Sequence, residues 1–477
     1  MGSFQNWFSV ISVLVSFTTI FHIALYKRNS SSAVTWTVFI LLTPLVGSLI
    51  YAIFGINRIN RRLKRSGHLK KSEFTNIQTL PVPLPYERYP ELWKAGHYLG
   101  LHDVYSPIKI YPFLKPRDAV DAMLSGISNA KLSITLLTYI FNDDPIGLLF
   151  INALKNAAER GVEIKLLCDD VGSGPSKSLL YKKLHHPKIT IAFFLPVLVH
   201  TRFSNMRNHR KLMIVDGKTG FTGGMNIAGM YDKSWRKENL NDDLRLSPDT
   251  HYQVEGPVVA HLQRIFEEDW FFTTEEKLTN SIYWQTVEIT THSTEGSVCR
   301  VIASGPSDDR NLSRWHYLTL IQCARKSIII QSPYFSPDQA ILDALSTAAL
   351  RGVRVDILIP QNSDYSFIRW VIQEIVGGLL QYGVHIWWIP GGFDHTKALL
   401  IDDEIVVIGS ANWDARSLRI NFELNLEILD DEFAKTMHTF LIENRNKSTI
   451  YTIEMHQNRT KSIKLRDGIS RLLTPFL

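Results

Sequence analysis

The chain has 477 residues, 45% of them hydrophobic and 21% charged, with 52 Lys and Arg against 46 Asp and Glu. That length exceeds one ordinary core and predicts two or three domains, and with no low-complexity tract the composition is that of a folded protein. The excess charge of +6 is too mild to name a partner, and three distant cysteines (Cys168, Cys299, Cys323) exclude a disulfide framework or a zinc site and fit a reducing cytosol.

From the N-terminus, Trp7 to Tyr26 carries no Lys, Arg, Asp or Glu and is long enough to span a hydrocarbon core of about 30 Å. The preceding residues have no charged side chain, which argues against a signal peptide, and Asn6 breaks the myristoylation pattern. A second uncharged run covers Ala33 to Gly55, interrupted by Pro44 and Gly47. Two membrane helices, about 7–26 and 33–55, joined as a hairpin are predicted within residues 1–60. Residues 61–105 follow as a basic, Pro-rich connector. Arg58, Arg61, Arg62, Lys64, Arg65, Lys70 and Lys71 follow the second run with no acid among them. The positive-inside bias therefore predicts a cytoplasmic location for everything downstream. The same cluster suits an anionic membrane surface.

After the Leu80–Pro85 connector two similar halves are legible, 106–285 and 286–477. Ala130-Lys131-Leu132-Ser133-Ile134 answers Ala324-Arg325-Lys326-Ser327-Ile328, and Arg160-Gly161-Val162 answers Arg351-Gly352-Val353. Each half reads strand, helix (Pro145–Arg160; Pro337–Arg351), strand and a hairpin, which argues α/β layering.

The two hairpins carry the chemistry. The first holds His209-Arg210-Lys211, then Asp216, Gly223-Gly224 and Asn226; the second holds His395-Thr396-Lys397, then Asp402, Gly409-Ser410 and Asn412. Both read His, one residue, Lys, four residues, Asp, six residues, Gly-Gly/Ser, one residue, Asn. One copy could be a solvated basic strand ending in a turn Asp. Two copies at identical spacing predict a duplicated phosphate-handling site. Alternation along a strand puts each His beside its Lys. A neutral imidazole can attack phosphorus while a protonated one gives a proton to the leaving oxygen. Lys211 and Lys397 would neutralise phosphoryl oxygens, with Gly224, Asn226, Ser410 and Asn412 lining the phosphate site. Asp216 and Asp402 belong to the motif, yet at hairpin turns a capping role outweighs direct chemistry. Neither motif has metal-ligand spacing, so no metal or cofactor is expected.

The doubled His-x-Lys-x4-Asp pattern resembles the phospholipase D superfamily. Arg207-Asn208-His209-Arg210-Lys211, Phe221-Thr222-Gly223-Gly224-Met225-Asn226, Pro333-Tyr334-Phe335-Ser336-Pro337-Asp338 and Arg416 to Glu423 narrow the resemblance to bacterial cardiolipin synthases. It implies two phospholipase D-like α/β domains sharing one active site behind the membrane hairpin, in a multi-pass protein of the bacterial cell membrane. It implies transfer of a phosphatidyl group between two phosphatidylglycerols through a phosphatidyl-histidine, giving cardiolipin and glycerol. By analogy His209 is the nucleophile and His395 the general acid, although near-identical copies leave the reverse open. The family's orienting acids match Asp249 and Glu423, with Asp242-Asp243 an alternative to Asp249. A hydrolase with water as acceptor is the runner-up. Phosphatidylglycerol and membrane lipid are the expected partners. Nucleic acid is not, because a nuclease wants a long basic groove with stacking aromatics.

Overall fold

The computed structural model describes residues 2–27, 30–55, 84–99, 101, 104–196, 206–232, 235, 246–284, 297–305 and 311–472. They fall into two compact units, the N-terminal helices and the remainder. The basic cluster at 58–71, most of the Pro-rich connector and Asp242-Asp243 lie outside the described residues.

In the first unit, α1 (Gly2–Tyr26) is followed by α2 (Ser30–Leu42), α3 (Pro44–Ile50) and a π-helical turn at Tyr51–Gly55. The second apolar run is therefore not one helix from 33 to 55. Pro44 has no N–H to continue the ladder and drives the preceding residue out of helical geometry, so Thr43 sits at φ −137°, ψ 70°. Ile23, Ile40 and Tyr51 form a small core, with the Trp36 and Tyr51 rings edge-to-face at 5.3 Å. Among the described residues no helix is long and apolar enough to cross a membrane. Outward, α1 and α2 present Trp7, Val13, Phe17, Leu41 and Leu42, each more than 60% exposed.

The second unit is built on a fifteen-stranded sheet with an internal pseudo-twofold order. The first half contributes β1 (Val104–Phe113), β2 (Ser133–Thr138), β3 (Glu163–Asp169), β4 (Ile189–Phe194), β5 (Leu212–Val215), β6 (Thr219–Gly223) and β7 (His251–Glu255). The second contributes β8 (Ser297–Ser304), β9 (Ser327–Gln331), β11 (Arg354–Pro360), β12 (His385–Ile389), β13 (Ala398–Ile401), β14 (Ile405–Gly409), β16 (Glu423–Leu429) and β17 (Thr449–Tyr451). The short β10 (Phe335–Ser336) and β15 (Trp413–Asp414) pair separately. Read outward from the junction of β1 with β8, one side runs β7-β6-β5-β2-β3-β4 and the other β16-β14-β13-β9-β11-β12-β17. In both, two parallel pairings (β2-β3-β4; β9-β11-β12) lie outside the antiparallel motif hairpin.

Sequence dictates this symmetry locally. Strands β5 and β13 are uninterrupted apolar runs buried at every position, as strands covered on both faces should be, and β2 and β16 are buried throughout although they mix apolar with polar residues. The helices Pro145–Glu159 and Gln339–Leu350 follow the first parallel strand of each half. Asp144 caps one by accepting the Gly147 N–H at 3.0 Å, and Asp338 caps the other by accepting the Ile341 N–H at 3.3 Å. Both helices stop just before a glycine at positive φ, Gly161 at 97° and Gly352 at 89°. Each half has its own core, one around Leu136, Phe150 and Leu166, the other around Ile330, Leu345 and Ile357.

Candidate active site

Each His-x-Lys sits in the extended segment leading into its hairpin, since the strands begin only at Leu212 and Ala398. These two segments reach across to the opposite half. The His209 N–H donates to Phe422 O at 2.9 Å, and the Phe422 N–H donates to Arg207 O at 2.9 Å. The His395 N–H donates to Pro248 O at 2.7 Å. Backbone pairing thus sets each histidine beside the residue preceding the other half's acid. The side chains complete the exchange. His395 Nδ1 lies 2.8 Å from Asp249 Oδ2, and His209 Nδ1 lies 3.4 Å from Glu423 Oε1. Both acids are fully buried, so each carboxylate has little but its partners to compensate for lost water.

The two lysines close the cluster. Lys211 Nζ donates to His209 O at 2.5 Å, and Lys397 Nζ stands 2.5 Å from His395 Nδ1 and 3.4 Å from Asp249 Oδ2. Burial pushes the Lys211 ammonium down to about 8, with Glu423 opposing and Lys397 adding to the fall. Burial likewise lowers Lys397, against the pull of Asp249. Burial, then Lys397, carries His395 down to about 4 despite Asp249. Burial alone would raise Asp249 and Glu423. Lys397 and His395 hold the first below the usual carboxylate range, and His209 with Lys211 holds the second there. One electrostatic site contains both motifs.

The remaining predicted residues divide. Asn412 is buried on the wall of a cavity of about 400 Å³ that also holds His209, and its Oδ1 has no partner among the described residues. Asn226 is buried with Oδ1 accepting the Ile140 N–H at 3.2 Å. Ser410 differs from expectation. Its hydroxyl lies 2.5 Å from Glu423 Oε2 and accepts the Leu424 N–H at 3.0 Å, so its hydrogen bonds go to the strand that carries Glu423. The matching Gly224 has the complementary reason for being there. A Cβ at that position would stand 2.1 Å from Asp249 Oδ1, so the missing side chain is the space Asp249 occupies.

Asp216 and Asp402 are at the turn ends of the hairpins, away from the imidazoles. Asp216 accepts the N–H groups of Lys131, Leu132 and Ser133 at 2.7–3.2 Å, and Asp402 those of Arg325, Lys326 and Ser327 at 2.6–3.1 Å. Each ties the hairpin to the start of the neighbouring strand. These are the contacts of the capping role that the turn position favours over direct chemistry.

The comparisons decide the family. A profile described as "Cardiolipin synthase, PLD-like domain" matches residues 123–270 and 317–443, and one described as "Phospholipase_D-nuclease N-terminal" matches residues 11–55. The chain is 33% identical to a cardiolipin synthase of Staphylococcus aureus, covering 98% of this chain and 95% of that one. It is 30% identical to the major cardiolipin synthase ClsA of Bacillus subtilis, covering 98% of each. The chain belongs to the cardiolipin synthase family. A phosphatidylserine synthase of Haemophilus influenzae has the same fold, with TM-score 0.60 at 13% identity over 81% of this chain and 97% of that one.

Sequence reasoning passed over several residues that shape this cardiolipin synthase-family site. Asn421 Nδ2 lies 3.3 Å from His209 Nδ1 and 3.4 Å from Glu423 Oε1, holding the pair together. Arg210, the middle residue of the first motif, reaches Asp269 at 2.7 Å, Glu423 O at 3.2 Å and Ser304 O at 3.1 Å. It therefore braces the backbone under the acid that faces His209. The Tyr139 ring lies 4.3 Å from the His209 ring, and Tyr334 stands edge-on to His395 at 6.1 Å. These tyrosines hold matching places in the two halves, one after β2 and the other after β9. Trp388 is core, with the Arg369 guanidinium 3.4 Å from its ring centre.

Proposed function

We propose that this protein is a cardiolipin synthase that transfers a phosphatidyl group from one phosphatidylglycerol to another and releases glycerol. The carrying observation is the pair of crossed histidine–carboxylate dyads, with both lysines, in one electrostatic site. With Nδ1 turned to a carboxylate, the Nε2 of each imidazole is left for chemistry. In the first step His209 Nε2 attacks phosphorus and the bond to the headgroup glycerol oxygen breaks. That oxygen takes a proton from His395, and glycerol leaves. In the second step His395 accepts the proton of a headgroup hydroxyl on another phosphatidylglycerol. The resulting oxygen attacks phosphorus, the P–N bond breaks and cardiolipin is released. Atoms balance, because two phosphatidylglycerols become one cardiolipin and one glycerol. Lys211 and Lys397 offset charge on the non-bridging oxygens in both steps.

One observation favours exchanged roles. His395, held down to about 4 by burial and Lys397, favours the neutral imidazole, which is the form a nucleophile needs. A phosphodiester anion beside His395 would act in the opposite direction, favouring the protonated imidazole that a proton donor needs. Rapid acid quench during turnover, followed by mass spectrometry of the histidine peptides, separates the assignments by locating the phosphatidyl group on residue 209 or 395. The function itself is tested with purified protein and phosphatidylglycerol alone. Cardiolipin and glycerol in equal amounts support it, and phosphatidic acid in their place would make the protein a hydrolase.

The N-terminal unit is proposed to anchor the protein in the membrane with the catalytic unit cytoplasmic. The support is an outward surface of α1 and α2 too apolar for water, and the basic run after Gly55. Single cysteines at Ser30 and Ser66 in a Cys-less chain test the orientation. A membrane-impermeant reagent outside intact cells should modify the first and spare the second.

A further inference from the structure

The C-terminal helix Lys461–Arg471 packs through one side only. Asp467 and Ser470 are buried on that side, and Asp467 pairs with Arg459 at 2.6 Å and Arg466 at 2.7 Å. Its neighbour is the helix Ser366–Leu380. Arg459 reaches Glu374 at 3.1 Å, and the Arg466 guanidinium lies 4.5 Å from the Trp370 ring centre. As the C-terminal segment advances from 459 to 466, its contacts thus move back along the neighbour from 374 to 370. Its far end is directed toward Tyr365, Phe367 and Ile368, which line the cavity holding His209.

The opposite side carries Leu465, Ile469 and Leu472, which are 66%, 56% and 70% exposed. Spaced i, i+4 and i+7, they form one stripe along the helix. Lys461, Lys464 and Arg471 are exposed as well, and the helix's one acid, Asp467, is turned inward and paired. Single exposed leucines are ordinary on a soluble surface. An apolar stripe with a basic border and no outward acid, running toward the mouth of a lipid-handling cavity, fits an anionic bilayer. Charge selects this occupant over a second copy of the chain, because two such basic faces would repel.

We propose that this face docks on anionic phospholipid bilayer and seats the cavity mouth at headgroup level, so that phosphatidylglycerol moves a short distance from membrane to site. The inference rests on the phosphatidyltransferase reading above. It concerns the catalytic unit's own membrane contact, separate from the N-terminal helices.

The test uses the full chain reconstituted into vesicles, with Leu465→Cys in a Cys323→Ser background carrying an environment-sensitive fluorophore. Vesicles contain brominated phosphatidylcholine with or without phosphatidylglycerol. Label at 465 should be quenched in phosphatidylglycerol vesicles and much less in phosphatidylcholine alone, whereas label at exposed Lys155→Cys should be quenched in neither. In a second arm, Leu465→Asp with Ile469→Asp should lower turnover on vesicles about tenfold and leave turnover on detergent-dispersed phosphatidylglycerol unchanged. Absence of quenching at 465 would overturn the proposal. So would equal vesicle turnover by variant and parent, or energy transfer between labelled copies in detergent, which would make the face a self-contact. Failure of the parent chain on dispersed phosphatidylglycerol would instead sink the enzymatic reading, whatever the label reports.

Discussion

Lys211 is where the pH dependence of this site should be most visible. Its side chain is buried beside another lysine, and its pKa falls to about 8 from an ordinary value near 10.5. The charged form is the one that offsets phosphate charge, so kcat/KM on dispersed phosphatidylglycerol should fall as pH rises through about 8. Bound phosphate restores an anion beside the ammonium, so the corresponding limb in kcat should lie higher. Lys211→Arg keeps its charge and should move the kcat/KM limb upward, though with lower activity, since a planar fork does not replace a point charge. An unchanged limb in that variant would remove Lys211 from the role. His251 carries a separate pH effect, on stability. Burial holds it at about 4, and neither ring nitrogen has a partner among the described residues. Because the folded pKa lies below the unfolded one, the unfolded chain takes up more protons between pH 6.5 and 4, and stability falls with pH across that window. This contribution amounts to about 2 kcal/mol at pH 5. Thermal unfolding at pH 7 and pH 5 should therefore show a smaller acid loss in His251→Leu than in the parent.

Among the elements, the motif hairpins separate chemistry from scaffolding along a few residues. Their Lys ends reach the site, while Asp216 and Asp402 hold the turn ends to neighbouring strands. Asp402→Ala should lower stability by about 1–3 kcal/mol, by stranding backbone N–H groups, and leave kcat of the folded fraction near that of the parent. Unfolding curves together with active-fraction kinetics check both parts. Gly224→Ala should do the reverse. Its Cβ would stand 2.1 Å from Asp249 Oδ1, so the carboxylate must leave His395. A loss in kcat of about 10- to 100-fold is expected, with the fold retained. Much of this was legible in the sequence, because a repeated spacing reports strands and hairpins directly: the two halves, the Asp-led turns and the capped helices all follow from local pattern. The role of Ser410 was not legible. A hydroxyl after glycine reads as a phosphate donor until Glu423, thirteen residues on, is seen to accept from it. The second apolar run misled for a similar reason, since hydropathy registers that a residue is apolar but not that Pro44 ends the helix before it.

For the catalytic unit as a whole, the crossing of acids between halves matters most. An imidazole that works as a nucleophile or acid needs a partner to fix its tautomer, and the resemblance supplied Asp249 and Glu423. Neither told which acid faces which histidine, because that pairing spans 146 residues in one case and depends on strand order across the sheet. The observed exchange makes the duplicated halves interdependent: each supplies one imidazole and the carboxylate for the other. A double-mutant cycle tests this directly. Asp249→Asn should impair turnover by releasing the tautomer and orientation of His395, by at least about 100-fold if it resembles other histidine-orienting acids. If that is its route, adding Asp249→Asn to His395→Ala should cost almost nothing further, since the group it positions is already gone. Glu423→Gln should show the same dependence on His209→Ala. The cross combinations carry the decision. Asp249→Asn combined with Glu423→Gln touches both dyads, and its effect should exceed that of either single change. Single-turnover rates on dispersed phosphatidylglycerol, with circular dichroism to confirm folding, give the four corners of each cycle. If Asp249→Asn instead lost its effect in His209→Ala and kept it in His395→Ala, each acid would be serving the histidine of its own half, and the crossed arrangement would be wrong.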